Sequence, residues 1–252
     1  MFNLVDLTGK KIVVTGASQG IGKDTAIMLS KLGAQLVLIA RNEENLKLTL
    51  EKLEGTGHKY YLLDINELEK IEPCIKSIVN DIGPVDGLVY AAGIVEDRPL
   101  RLFKPSVVSN SLNVNFNGFI EFVRCLSKKN NFNIGMRIVG ISSVAAFSGD
   151  KAKTVYSASK AAMNGAVRCL AKELADKSIC INTVAPGMIH TEMYENYLLQ
   201  YGRDSNSKLL ERQYLGIGKA DDVAAAIAFL MSSAAKFITG VCLPVDGGFT
   251  SN

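Results

Sequence analysis

Short runs of β-branched and other apolar residues alternate with amphipathic stretches along the whole chain. The runs with the length and composition of strands lie at 11–15, 36–40, 60–63, 86–90, 136–141, 180–184 and 241–245. Hydrophobic positions spaced as on one face of a helix lie between them, at 22–32, at 43–53, in a stretch ending near Asn80, and at 155–176. The pattern predicts a regular alternation of strands and helices.

The early strands are apolar throughout rather than alternately apolar and polar. Such strands are typical of a parallel sheet covered on both faces, and a repeated βα unit implies right-handed crossovers. We therefore expect an α/β fold: a single doubly wound domain over residues 1–252, with a parallel seven-stranded sheet flanked by helices on both faces. The polar, tyrosine-rich stretch 187–218 interrupts the pattern, and we predict that it forms a flap over a site.

Composition narrows the classes of function. Of the 252 residues, 48% are hydrophobic and 21% charged, which allows a sizeable core and excludes a disordered chain. A net charge of +3, from 28 basic and 25 acidic residues, argues against a dedicated nucleic-acid-binding protein. The longest apolar run, 223–231, is far shorter than the roughly 20 residues that span a bilayer. With no signal-peptide pattern at the N-terminus, we expect a cytoplasmic protein without a membrane segment.

Cysteine and histidine usage bears on metal binding. The five cysteines are widely spaced and form no C-x-x-C pair, and there are two histidines. Structural zinc sites need clustered thiolates and imidazoles, and disulfide scaffolds need paired cysteines. We therefore expect reduced thiols and no metal site.

The segment Thr15-Gly16-Ala17-Ser18-Gln19-Gly20-Ile21-Gly22 joins the first strand to the first helix. Glycines at such a junction permit a tight turn and a close approach of backbone to a pyrophosphate, while the helix N-terminus supplies unpaired N–H groups. The position favours a dinucleotide site formed by Gly16, Ser18, Gln19, Gly20, Ile21 and Gly22 over a plain glycine-rich turn.

The ends of the second and third strands supply further cofactor candidates. Arg41 and Asn42 follow the second strand, where a dinucleotide site contacts the ribose. A guanidinium there pairs with a 2′-phosphate, and no acid repels that phosphate, so NADP(H) is favoured over the alternative that Arg41 only decorates a helix start. Asp64, after the third strand, is placed either to accept a hydrogen bond from the adenine amino group or to cap a helix beginning near Asn66.

A possible acid–base pair lies in the long helix at 155–176. Tyr156 and Lys160 are four residues apart and so share a helix face. An ammonium beside a phenol favours the phenolate, so we expect Lys160 to lower the pKa of Tyr156. Ser142 and Ser143 follow the fifth strand. Taken alone, the Tyr–Lys pair could also be a chance surface contact.

These motifs together resemble the short-chain dehydrogenase/reductase family, over essentially the whole chain. Residues 15–22 match its T-G-x-x-x-G-x-G, and Asp64 occupies its adenine-contacting acid position. Its N-x-x-G is matched at Asn115–Gly118, and its Ser and Y-x-x-x-K are matched by Ser143, Tyr156 and Lys160. Pro186-Gly187-Met188-Ile189-His190-Thr191 matches its P-G-x-x-x-T.

The resemblance implies a Rossmann fold and reversible hydride transfer between a nicotinamide and a ketone. Tyr156 is then the proton donor, Ser143 stabilises the substrate oxygen, Lys160 holds the nicotinamide ribose, and Asn115 supports Lys160 through a water. The other implied cofactor contacts are Ile65, Ala91, Ala92, Gly93, Pro186, Gly187, Ile189 and Thr191. It also implies a homotetramer or homodimer.

Two positions depart from the family pattern. Tyr90-Ala91-Ala92-Gly93 stands where the family has N-N-A-G, so Ala91 cannot make the side-chain contacts of an Asn. Gln19 stands where many NADP(H)-preferring members carry a basic residue, so the cofactor preference rests mainly on Arg41.

The substrate is not specified by these motifs. The nearest general similarity is to 3-oxoacyl-[acyl-carrier-protein] reductases. An acidic carrier protein could then dock on a basic face formed by Arg124, Lys128, Lys129 and Lys172. The alternative is that these four side chains are only solvated charges on helix surfaces. The alternatives are an enzyme acting on a sugar, a polyol or another small secondary alcohol, and a catalytically silent NADP(H) sensor. The intact Ser143, Tyr156, Lys160 and Asn115 set argues against the sensor.

Overall fold

The structure is a computed structural model, and it describes residues 4–202 and 211–251. Within those ranges the main sheet contains seven strands: β1 (Lys11–Thr15), β2 (Gln35–Ala40), β3 (Lys59–Leu62), β4 (Val85–Tyr90), β5 (Phe132–Ile141), β6 (Cys180–Pro186) and β9 (Cys242–Val245). All seven are parallel, in the order β3-β2-β1-β4-β5-β6-β9. Two short strands, β7 (Ile189–His190) and β8 (Gly218–Lys219), pair with each other.

The helices connect the strands. They are α1 (Gly20–Lys31), α2 (Glu43–Leu50), α3 (Ile71–Ile82), α4 (Pro105–Leu112), α5 (Gly118–Leu126), α6 (Thr154–Glu173), α7 (Glu192–Tyr201) and α8 (Ala220–Met231). A π-helical turn, Asn113–Asn117, joins α4 to α5. None of the described helices is both long and apolar enough to cross a bilayer.

Each face of the sheet is covered by a separate apolar core. On one face, Ile75 of α3, Phe119 of α5 and Met163 of α6 pack against the strands. On the other, Leu29 of α1 and Ile227 of α8 do the same. Burial on both faces is the physical reason that β1, β2 and β4 are apolar at nearly every position.

The chain winds outward from β1 to β3, returns to β4 beside β1, and then winds outward in the other direction. At the carboxyl ends of β1 and β4 the connections diverge to opposite sides, which leaves a crevice where doubly wound sheets bind ligands. The parallel doubly wound sheet predicted from the sequence is confirmed.

Element boundaries differ from the predicted ones by a few residues. Helix α1 begins at Gly20 rather than residue 22, and α3 begins at Ile71, after a 3₁₀ turn at Leu68–Lys70 rather than near Asn66. The predicted flap at 187–218 contains β7, α7 and the start of β8, and residues 203–210 of it lie outside the described residues.

Candidate active site

The glycine-rich segment leads from β1 into the first turn of α1. Gly16 and Gly20 have φ angles of +64° and +53°, in the left-handed region that favours glycine. A Cβ on Gly16 would lie 2.8 Å from the backbone nitrogen of Ala92, so only glycine lets the end of β4 approach this closely. Gly22 is packed against the Gly16 carbonyl group.

The N-terminus of α1 has the features of an anion site. Gln19 is the N-cap residue, but its side chain makes no capping hydrogen bond, and no acidic residue lies in the first turn. Ser18 and Ile21 flank it and are half-buried. Because the first N–H groups of a helix lack intrahelical partners, this turn fits a pyrophosphate.

The ends of β2 and β3 lie side by side at the same edge of the sheet. Arg41 Nη1 lies 3.6 Å from Asp64 Oδ2, and both side chains are exposed. Asn42 caps α2 by accepting from the backbone N–H of Asn45 at 2.8 Å. Asp64 Oδ1 accepts from the N–H of Asn66 at 3.0 Å, which closes a local turn and not a helix, because the helix begins further on. Ile65 beside it is buried.

The end of β4 is braced by a hydroxyl group from β1. Thr15 Oγ1 accepts from the backbone N–H groups of Ala91 at 3.1 Å and Ala92 at 3.2 Å. This pair of hydrogen bonds fixes the two strand ends against each other, so the segment is held even though residue 91 has no amide side chain. Sequence reasoning placed Thr15 in the glycine-rich motif but assigned it no contact, because its position at the end of a buried strand gives no local signal of these hydrogen bonds.

The segment after β6 covers the glycine-rich turn. Pro186 ends β6, the N–H of Gly187 donates to the Val245 carbonyl at 3.1 Å, and Ile189 is buried in β7. Thr191 caps α7 by accepting from the N–H of Tyr194 at 3.4 Å. A Cβ on Gly20 would lie 3.6 Å from the side chain of Thr191, so the start of the flap lies directly above the turn.

Lys160 is buried in α6, with only 3% of its surface exposed. Its Nζ donates to the carbonyl oxygen of Ile141, the last residue of β5, at 2.7 Å. Burial disfavours the charged form and lowers the pKa of Lys160 to about 8. Gly93 is also close to the ammonium, because a Cβ there would lie 3.3 Å from Nζ.

Asn115 lies in the π-helical turn and is fully buried. Its Nδ2 donates to the Ile94 carbonyl and to Ser159 Oγ, both at 3.0 Å, and its Oδ1 accepts from the Ile94 N–H at 2.8 Å. It therefore ties the loop after β4 to α6, one residue away from Lys160. Asn113 and Asn117 bond to each other at 2.9 Å instead.

Ser143 and Tyr156 complete the group. The Lys160 ammonium lies 5.7 Å from the centre of the Tyr156 ring. Ser143 begins a 3₁₀ turn, where its Oγ accepts from the N–H of Ala145 at 3.1 Å. Ser142 is buried and bonds to the Lys160 carbonyl at 3.4 Å instead.

The pKa of Tyr156 is raised in this structure, opposite to the direction expected from Lys160. The main cause is burial, which disfavours the phenolate. A hydrogen bond with Ser143 lowers the pKa, and the carboxylate of Asp97 raises it further. The ammonium of Lys160 is directed to the Ile141 carbonyl, and it does not offset the burial.

Tyr90 is the first residue of the Tyr-Ala-Ala-Gly segment that differs from the family's N-N-A-G, and it has a role that sequence reasoning missed. Its hydroxyl donates to the carbonyl of Val114, in the π-helical turn, at 2.5 Å, and burial raises the pKa of this phenol so that it remains a donor. A Cβ on Gly118 would lie 2.5 Å from that hydroxyl. The glycine of the N-x-x-G motif thus makes room for the tyrosine that holds the turn of Asn115.

Comparison with known proteins agrees with this geometry. A family model described as enoyl-(acyl carrier protein) reductase matches residues 16–250. The chain belongs to the short-chain dehydrogenase/reductase family. Its members use a nicotinamide cofactor and act on small molecules, so the chain is an oxidoreductase. The glycine-rich turn and the uncapped α1 N-terminus fit the dinucleotide of such a cofactor.

Similar proteins span the chain nearly end to end. An L-xylulose reductase from Caenorhabditis elegans is 38% identical, over 98% of both chains. A 3-oxoacyl-[acyl-carrier-protein] reductase from Thermotoga maritima is 34% identical, over 96% of this chain and 98% of the other. A crystal structure of a putative 2-deoxy-D-gluconate 3-dehydrogenase from Agrobacterium tumefaciens with bound NADP is 30% identical, with a TM-score of 0.87 over 100% of both chains. The relatives include both substrate classes considered from the sequence.

The hydrogen bond of Tyr90 gives a first prediction. Tyr90→Phe keeps the ring, whose centre lies 5.5 Å from that of Phe119, but leaves the buried Val114 carbonyl without its donor. We expect the free energy of unfolding to fall by about 1–3 kcal/mol, and turnover to fall because Asn115 lies in the same turn. Denaturant unfolding and steady-state kinetics measure the two effects.

Tyr61→Phe is the matched control. It removes a hydroxyl that bonds to Asp81 at 3.0 Å near the surface, away from the site. It should change turnover little. A Tyr90→Phe variant with the stability and turnover of the unaltered chain would show that the hydroxyl does not hold the turn.

Proposed function

We propose that the chain is an NADP(H)-dependent enzyme that reduces a ketone to a secondary alcohol, with residues 1–252 acting as one domain and the flap covering the substrate. The proposal is carried by one observation: the buried Lys160 ammonium, Asn115, Ser143 and Tyr156 meet at the carboxyl edge of the sheet, next to the glycine-rich turn. A silent sensor would have no need of this arrangement.

In the proposed reaction, the bound nicotinamide supplies the hydride that reduces the carbonyl carbon. Tyr156 donates the proton to the carbonyl oxygen, and Ser143 donates a hydrogen bond to that oxygen as negative charge develops on it. Lys160 holds the ribose hydroxyls with its ammonium. Asn115 holds the loop after β4 against α6, so that Lys160 stays in register with Tyr156.

The rest of the cofactor would contact the residues that surround the crevice. The pyrophosphate fits the turn from Gly16 to Gly22, and the adenosine end fits Arg41, Asn42, Asp64 and Ile65. The segments Ala91–Gly93 and Pro186–Thr191 would hold the nicotinamide end.

Removal of the Tyr156 hydroxyl tests the mechanism. Tyr156→Phe should lower kcat by roughly 10²–10⁴-fold, the usual contribution of general acid catalysis, while NADPH affinity changes little. Lys160→Ala should weaken both, because that side chain also serves the ribose. Steady-state kinetics and fluorescence titration of NADPH measure the two quantities.

Tyr60→Phe serves as the control for Tyr156→Phe, because Tyr60 lies on the outer strand β3 and its hydroxyl donates to Glu43 of α2 at 2.9 Å. If Tyr156→Phe keeps most of its turnover, the proton comes from another group and the mechanism is wrong.

The preference for NADP(H) over NAD(H) is proposed from Arg41. It is the cation that follows β2, and its contact with Asp64 is long and exposed, so the guanidinium can turn to a 2′-phosphate. The bound NADP in the Agrobacterium tumefaciens relative supports this choice.

Arg41→Asp tests the preference. Loss of the charged hydrogen bond should weaken NADPH binding by about 1.5–3 kcal/mol, and added repulsion should weaken it further, with little loss for NADH. The kcat/KM values for the two cofactors decide the matter. Lys31→Asp makes the same charge change at an exposed position in the last turn of α1, at the opposite end of that helix from the glycine-rich turn, and should leave both values unchanged. Equal use of both cofactors by the unaltered chain contradicts the assignment.

For the substrate we propose a 3-oxoacyl thioester delivered on a carrier protein. The basic face is smaller than the sequence suggested, since Arg124 and Lys128 are each paired with Glu72 at 2.7 Å. Lys129 and Lys172 are exposed, with no ion pair among the described residues. Lys172 lies twelve residues beyond Lys160 on α6, or about 18 Å along the helix axis, a gap that a flexible carrier-linked arm must span.

A sugar or other polyol is the second candidate, favoured by the 38% identity with L-xylulose reductase. From the family resemblance we further propose that the chain forms a homotetramer or homodimer. Sedimentation in the analytical ultracentrifuge measures the mass of the assembly.

The two substrate classes are separated by a charge reversal. We expect NADPH-dependent reduction of acetoacetyl thioesters, with the carrier-linked form preferred. Lys129→Glu with Lys172→Glu should raise KM for the carrier-linked form and leave the free thioester unaffected, an effect that salt should mimic. Lys31→Glu with Lys52→Glu, exposed on the other side of the sheet, is the charge-matched control. If thioesters are inert and L-xylulose is reduced, the second candidate is correct.

A further inference from the structure

An ion pair beside Tyr156 has no part in the mechanism described so far. Lys153 Nζ donates to both carboxylate oxygens of Asp97, at 3.0 and 2.9 Å. The side chains are 22% and 9% exposed, so this pair is shielded from water and salt far more than the surface pairs of the chain. Lys153 is the N-cap residue of α6, three residues before Tyr156, and Asp97 lies in the loop after β4.

A backbone hydrogen bond reinforces the same junction. The N–H of Arg98 donates to the carbonyl of Ala152 at 2.9 Å. Ala152 has a φ of +67°, in the left-handed region that residues with a Cβ rarely adopt. A strained turn of this kind persists only where its surroundings hold it, and here they include the Lys153–Asp97 pair and the Arg98–Ala152 bond.

The same ammonium also reaches the flap. Lys153 Nζ lies 5.5 Å from the centre of the Tyr197 ring in α7, within the range of a cation–π interaction. Lys153 thus contacts the loop after β4, through Asp97, and the flap, through Tyr197, while it begins the helix that carries Tyr156. These are three of the segments that surround the catalytic phenol.

Among the described residues, two groups act on Tyr156 from other elements: Ser143, from the segment after β5, and the carboxylate of Asp97, from the loop after β4. Lys160 and Lys153 lie on its own helix. The neighbours of Asp97 in the loop, Glu96 and Arg98, pair with each other at 3.3 Å. Asp97 is therefore the negative charge that opposes the phenolate, and Lys153 is the cation paired with it.

We propose that Lys153 is a positioning residue: its ammonium holds the Asp97 loop and the flap helix against the start of α6, and its charge screens Tyr156 from Asp97. The proposal rests on the proposed function, in which Tyr156 carries the proton. It predicts that loss of this one cation loosens the substrate side of the site and leaves an unpaired carboxylate next to the phenol.

The test measures alcohol oxidation against pH, in which rate rises as Tyr156 loses its proton. Lys153→Gln should move the rising limb to higher pH by roughly one unit, because the unpaired carboxylate disfavours the phenolate. It should also raise KM for the alcohol several-fold while KM for NADP stays within twofold. Lys153→Arg keeps the charge, so its rising limb should lie at the same pH as that of the unaltered enzyme.

A double variant separates charge from folding. Asp97→Asn with Lys153→Gln removes both charges and leaves no unpaired carboxylate, so its limb should return to within a few tenths of a unit of the original. Lys10→Gln is the matched control, because Lys10 pairs with the partly buried Asp86 at 3.3 Å on the amino edge of the sheet, away from the site. It should change neither the limb nor KM.

The outcomes are distinct from those that test the mechanism itself. A Lys153→Gln enzyme with an unmoved limb and unchanged KM overturns the proposal. So does a double variant whose limb is displaced as far as that of Lys153→Gln, since the effect then does not come from the Asp97 charge. If Tyr156→Phe keeps the limb, the proposed function fails, whatever the Lys153 variants do.

Discussion

The site depends on one costly feature, the burial of the Lys160 ammonium. A cation removed from water must find hydrogen-bond acceptors, or it loses its proton. Here the main-chain carbonyl of Ile141 accepts from Nζ, and that carbonyl is available because it belongs to the last residue of a central strand. A buried lysine can therefore stay charged at this position because the end of a central strand offers it a main-chain carbonyl as hydrogen-bond acceptor.

Several other features follow from this placement. A glycine at position 93 leaves Nζ in place, because a Cβ there would lie 3.3 Å from it and would require it to shift. The loop that starts at Gly93 must be held, and Asn115 does so by bonding to both backbone groups of Ile94. Asn115 lies in the π-helical turn, and Tyr90 bonds to a carbonyl of the same turn. Turns of this type are recurrent at functional sites.

Much of this could be predicted from the sequence, because its signals are local. The strands are recognisable as short apolar runs, and Gly16, Gly20 and Gly22 mark a junction whose φ angles and close contacts require glycine. Tyr156 and Lys160 share a helix face by spacing alone.

Contacts between distant segments could not be predicted. Asp97 and Lys153 are separated by 56 positions, and the carboxylate of Glu72 reaches Arg124 and Lys128 across 52 and 56 positions. Nothing in either local pattern distinguishes a paired lysine from a free one. The predicted direction of the Tyr156 pKa shift was wrong for the same reason: the helix spacing revealed the neighbouring cation, but the burial that raises the pKa comes from the tertiary fold.

The raised pKa of Tyr156 determines the protonation state in which the free chain meets its substrate. A phenol whose pKa is raised by burial and by Asp97 is protonated at neutral pH, and Lys160, with a pKa of about 8, is mostly charged there. The free chain thus rests with a proton on Tyr156 and a cation beside it, which is the state that ketone reduction needs. In the proposed mechanism, oxidation of an alcohol needs the opposite state, because Tyr156 must then accept the proton. The charges of the chain itself therefore favour the direction of reduction in that mechanism.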